Sequence, residues 1–176
     1  MSDTTLKDTV PSKSVISDAG WRGVVAAFAL NGLLFGAWAA RVPAFKDRFD
    51  LDPGTLGLLL LALASGAIAS FPIAGALSEK WGPERLSIRC AWVYGPALVA
   101  LAFAPNPLVL GILLFAFGAF HGAMDVAMNG WGAQVEERLE RNTMTIFHAM
   151  FSLGAGLGAA SGYFAVRLGA GPDWHF

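Results

Sequence analysis

Charge is what this sequence has least of. Only 14% of its 176 residues are Asp, Glu, Lys or Arg, where a soluble domain carries about a quarter. With 55% hydrophobic residues and a mean hydropathy of +0.54, that shortage argues against a water-solvated globule and for a chain solvated by lipid. Basic runs are missing too, and the net charge is -1, so no nucleic-acid partner is expected. Cysteine is nearly absent. Cys90 is alone, which excludes an internal disulfide and a multi-thiolate metal centre, and it reads as a small apolar filler. No cofactor is expected. The glycines of GAGLGA at 154–159 imitate a dinucleotide loop, but no strand precedes them and they lie inside an apolar run.

Long apolar runs are what the chain does have. About 20 mainly apolar residues cross a hydrocarbon core of about 30 Å as a helix. Five stretches meet that length: 21–44, 53–78, 85–104, 107–129 and 143–166. The third does so only if Arg85 and Arg89 snorkel to the head groups. No strand pattern competes, so the expected class is an all-α membrane protein of five spans. Residues 1–20 are polar, mixed in charge and unlike a cleaved signal peptide; they read as a mobile cytoplasmic tail. Residues 169–176 read as the start of an outer loop, in a chain truncated before a sixth span.

Short loops make neighbouring spans antiparallel, and the basic residues orient them. With the N-terminus inside, Lys7, Lys13, Arg22, Lys80, Arg85, Arg89, Arg138 and Arg141 are internal; Arg41, Lys46, Arg48 and Arg167 are external. The two-to-one bias favours an N-terminus on the inside, and the membrane is expected to be a cytoplasmic (inner) one.

Between the second and third spans lies GALSEKWGPERL, residues 75–86. Gly75 would let two helices approach, and Gly82 would permit a tight turn. Gly75, Glu79, Lys80, Gly82 and Arg85 resemble the signature loop of the major facilitator superfamily, with Glu79 where aspartate is commoner and Glu84 where a base is often found. MDVAMN at 124–129 and FHAMFSLGAGLGA at 147–159 look like the fucose-permease-like branch of that superfamily. The resemblance implies that residues 21–168 form most of a six-helix bundle. It implies a solute carrier working by alternating access, often proton-coupled, with sugars among its substrates. It also implies a cytoplasmic latch against a C-terminal half that this chain lacks. Membrane lipid, a small solute, a proton and that missing half are the expected partners.

The polar residues within the spans locate a candidate site. On a helical wheel, His121, Asp125 and Asn129 share an arc with Gly111, Gly118 and Gly122, at about 100° per residue. A charged group facing lipid at mid-span is disfavoured by about 2.5–3.5 kcal/mol, so Asp125 is expected to face protein or a water-filled cavity. Counting about 1.5 Å per residue puts Asp125 and His148 level, each about 7 Å from the inner end of its span. A carboxylate near imidazoles can hold and release a proton near neutral pH. Asp125 with His121 or His148 is therefore the candidate proton or substrate site; a polar network that merely orients two helices is the alternative. Asn31 near the midplane, beside Phe28, Phe35 and Trp38, offers an amide and apolar rings for a sugar. Arg41 either snorkels outward or binds an anionic substrate. Gly154, Gly158 and Gly162 form a small-residue stripe for close helix packing.

Two other classes were weighed. His121, Asp125 and His148 have ligand types that could hold zinc in an intramembrane metalloenzyme, but HExxH, cysteine ligands and a water-activating glutamate are absent, so neither an enzyme nor a metal is expected. A truncated, non-transporting scaffold or regulatory membrane protein is the other alternative.

Overall fold

The computed structural model describes residues 13–176, with side chains from residue 19 onward. The described residues form helices and no strands: α1 Lys13–Ala39, α2 Val42–Arg48, α3 Pro53–Trp81, α4 Pro83–Ala102, α5 Pro107–Leu139, α6 Met144–Arg167 and the short α7 Pro172–His175. Most of the expected tail, residues 1–12, lies outside the described residues. Its last part, 13–20, is helical, because nothing in SVISDA breaks the helix that the apolar run continues.

Proline and short polar side chains set the starts. Pro53, Pro83, Pro107 and Pro172 each open a helix where the missing N–H removes no bond. Asp52 accepts the backbone N–H groups of Gly54 and Thr55 at 2.8 and 3.1 Å, and Asn106 accepts that of Val109 at 2.9 Å. These hydrogen bonds hold the Asp52 carboxyl below its ordinary range, the Thr55 hydroxyl contributing most. Gly82, at φ +84°, ends α3 and opens α4, a turn that an L side chain would strain.

α5 runs ten residues past Asn129, because the amphipathic QVEERL prolongs it to Leu139. One of those residues then starts the next helix. Glu136 Oε2 accepts the N–H groups of Thr143 and Met144 at 2.5 and 2.7 Å, closing the α5–α6 turn.

Among the described residues, four segments are long and apolar enough to cross a membrane: Ala19–Arg48, Pro53–Trp81, Pro107–Leu139 and Met144–Arg167. The sequence count was five. α4 has 20 residues, but Glu84, Arg85 and Arg89 crowd its first turns. Arg89 lies over the Trp81 ring at 4.3 Å.

Two glycine-lined crossings build the bundle. α1 packs on α6, and α3 on α5, while α4 and α1 also lean on α5. At the first crossing Gly32 and Gly36 of α1 lie against the backbone of Phe151 and Ala155 of α6, Gly154 and Gly158 of α6 lie against that of Ala29 and Leu33 of α1, and Gly162 sits against Ala40. A Cβ on Gly154 or Gly158 would press into the carbonyl of Ala29 or Leu33. At the second, Gly66, Gly118 and Gly122 bring α3 and α5 together in the same way. Helices in lipid gain from such backbone approach, because no water is released when apolar side chains meet. Gly75 behaves differently. A Cβ there would meet nothing within 4 Å, so Gly75 serves no close approach among the described residues, contrary to the expectation.

The outward faces are apolar. Trp92 is 78% exposed and Leu108 75% exposed, a surface that suits hydrocarbon rather than water.

Candidate functional site

His121 is the hub of the polar interior. It lies on α5, half-buried, with its Nδ1 atom 2.8 Å from Asn31 Oδ1 on α1 and 3.0 Å from the Tyr94 hydroxyl on α4. One imidazole thus ties three helices together. Asn31 and Tyr94 are both fully buried. Phe35, one turn along α1 from Asn31, stacks on the imidazole at 4.7 Å and 22°. Tyr94 in turn stacks on Phe117 at 4.8 Å. The second end of the Asn31 amide is also engaged, its Nδ2 donating to Met128 Sδ at 3.5 Å. A buried polar group in such surroundings needs a partner, and here each has one.

Asp125 follows His121 by one turn of α5 and is half-buried. Its neighbour Asn129 donates through Nδ2 to the Asp125 backbone carbonyl at 2.9 Å and to its Oδ1 at 3.3 Å. The amide holds one carboxylate oxygen, and the other accepts no hydrogen bond among the described residues.

His148 lies outside the His121 set of hydrogen bonds among the described residues. It is exposed on α6, with its ring edge-on to Phe28 at 5.2 Å, and no hydrogen bond joins it to Asp125 among the described residues. The depth count put them level, but α6 packs chiefly on α1 rather than on α5. α5 and α6, although consecutive, are not each other's main packing partners.

Arg41 neither snorkels outward nor presents an open guanidinium. It is 2% exposed, and its Nη2 donates to the Ala170 carbonyl at 2.6 Å. Its Nε and Nη1 have no hydrogen-bond partner among the described residues. The segment after α6 folds over it: His175 Nε2 lies 3.0 Å from the Ser161 hydroxyl, and Phe176 stacks on Phe45 at 6.4 Å. Burial, and then the Arg41 charge, hold the His175 imidazole below its ordinary range.

Around the Gly82 turn, Glu79 and Lys80 at the end of α3 and Arg85 at the start of α4 are exposed. Among the described residues no three His, Cys, Asp or Glu side chains gather as metal ligands.

Sequence reasoning missed Tyr94 and Met128. Tyr94 carried a usable signal, the single hydroxyl in the apolar run AWVYGPALVALA; Met128 carried none. It also missed Gly32 and Gly36, although their four-residue spacing on α1 was legible.

The comparisons agree with this architecture. The family model described as Major Facilitator Superfamily matches residues 23–176. The chain belongs to that superfamily and is a multi-pass, all-α membrane protein. It is 49% identical over 145 residues to an "Uncharacterized transporter y4wD" of Sinorhizobium fredii, covering 82% of this chain and 38% of the relative. It is 35% identical to "Membrane protein MosC" of Rhizobium meliloti, covering 84% and 37%. It is 27% identical to "4-hydroxybenzoate transporter PcaK" of Pseudomonas putida, covering 88% and 35%. The chain thus spans less than two fifths of these relatives' length. No solved structure matches it.

Proposed function

We propose that this chain is the N-terminal part of a secondary transporter that carries a small solute across an inner membrane by alternating access, coupled to proton movement. The observation that carries this reading is the His121 hub with Asp125 one turn along the same helix. Ionisable groups within spans are functional by default, because their burial in hydrocarbon is otherwise disfavoured. In this reading α4 is the fifth span, with Arg85 and Arg89 snorkelling to the inner interface and the N-terminus inside. A second bundle completes the transporter, and the loop carrying Gly75, Glu79, Lys80, Gly82 and Arg85 docks against it. The open space beside Gly75 suits such a partner helix.

The solute binds near the midplane between the two bundles. Asn31, His121 and the Phe35 ring combine hydrogen-bonding groups with an apolar platform, which suits a sugar-like solute. A relative named for 4-hydroxybenzoate makes a planar carboxylate the second candidate to assay. The test is uptake of both classes by the full-length transporter in proteoliposomes with an imposed pH gradient. Asp125→Asn should abolish gradient-driven accumulation while leaving solute exchange. Unchanged accumulation would remove Asp125 from coupling.

A further inference from the structure

We propose that Asn31 is a positioning residue that fixes His121 as its Nδ1–H tautomer, leaving Nε2 as the atom that takes up and gives back a proton. The proposal rests on the coupling reading above and specifies the atom within it.

Donors and acceptors around the Asn31 amide decide the tautomer. The Asn31 amide has two different ends, and two different neighbours settle which way it points. Met128 Sδ can only accept, so the amide end 3.5 Å from it is the NH₂ group. Turning the amide over would set its oxygen against the sulfur, two acceptors facing each other where both residues are at most 1% exposed. The carbonyl end therefore faces His121, 2.8 Å from Nδ1. A carbonyl oxygen can only accept, so Nδ1 must carry hydrogen. Tyr94 Oη lies 3.0 Å from the same nitrogen and, in this tautomer, can share its hydrogen. With Nδ1 committed, the lone pair of a neutral imidazole resides on Nε2.

The arrangement has a consequence for a proton cycle. Protonation adds a hydrogen at Nε2 and leaves the Nδ1–H bond to Asn31 intact. The tie between α1, α4 and α5 thus survives both charge states, and the change is confined to the Nε2 side of the ring. The Phe35 stack holds the ring plane through the same cycle. Other titratable groups around this imidazole are Asp125, one turn on along α5, and Tyr94 on α4; His148 of α6 meets Phe28, one turn before Asn31. The packed faces of α1 and α3 add none. A partner that fixes one ring nitrogen so that the other does the chemistry is the arrangement that orients metal-binding histidines, here serving a proton.

The experiment is ¹⁵N NMR of the full-length transporter in nanodiscs with labelled histidine, His121 assigned by its loss in His121→Gln. At a pH where the ring is neutral, the proposal predicts a pyrrole-type Nδ1 signal and a pyridine-type Nε2 signal. The reverse pattern overturns it. Asn31→Leu should mix the tautomers, and Asn31→Asp, which keeps an acceptor, should restore the single form. An unmixed Nδ1–H form in Asn31→Leu would overturn the role of Asn31. The spectrum does not depend on transport. Loss of proton coupling as a mechanism leaves the tautomer assignment standing, and a wrong tautomer leaves the Asp125→Asn uptake result standing.

Discussion

Placing a methyl group on Gly158 should damage the bundle far more than placing one on Gly156, two residues away on the same helix. A Cβ at Gly158 falls onto the Leu33 carbonyl and close to the Ala37 nitrogen and Leu33 carbonyl carbon of α1. All are backbone atoms, so no rotamer change relieves the overlap and the helices must part. Overpacking of this kind typically costs about 1–3 kcal/mol, roughly a 5- to 150-fold fall in the folding equilibrium constant. A Cβ at Gly156 meets nothing within 4 Å, so Gly156→Ala should be neutral or stabilise the helix by up to about 1 kcal/mol. Reversible unfolding of both variants by SDS titration in mixed micelles reads the difference. Equal stability of Gly158→Ala and Gly156→Ala would refute the claim that glycines set the α1–α6 distance.

Three further outcomes are expected. Glu136→Ala removes the acceptor for two N–H groups at the start of α6 and should lower stability by about 1 kcal/mol, with faster amide exchange at Thr143 and Met144; unchanged exchange would contradict the cap. Arg41→Met should change global stability by less than about 1 kcal/mol, because an under-partnered buried charge contributes little net. It should nevertheless expose residues 170–176 to protease, and continued protection would show that Ala170 is held by other contacts. Docking of the last turn should weaken on acidification. His175 is held below its ordinary 6.5, so the undocked segment takes a proton first and docking is lost as pH falls below that value; a pH-independent amide-exchange rate in 172–176 would contradict this.

The apolar runs made the helices legible, since length and composition alone decide what can cross lipid. The starts of α3 and α5 and the turn between α3 and α4 were legible from Pro53, Pro107 and Gly82, which act locally. Which helices touch was not. Depth along a span can be counted from the chain, but the rotation and partner of a helix depend on where two backbones can approach. Those contacts are set jointly by Gly32 and Gly36 on one helix and Gly154 and Gly158 more than a hundred residues later. For the same reason the count that set His148 level with Asp125 gave depth alone and not the packing of α6 on α1. The wheel did find the polar arc of His121, Asp125 and Asn129, because that arc belongs to a single helix. Its partners Tyr94 and Met128 came from tertiary packing, as did the burial of Arg41 beneath residues after α6.

The central claim is that solute and proton move together through the His121 and Asp125 region. The most direct measurement is solute-evoked proton movement, read by a pH dye inside proteoliposomes holding the full-length transporter. Pentoses, hexoses and 4-hydroxybenzoate would be added in turn. The account predicts that a transported member of that panel acidifies the lumen with the wild type and not with Asp125→Asn, although the variant still exchanges the solute. Solute entry with no proton movement in the wild type, or an undiminished proton signal in Asp125→Asn, would contradict it.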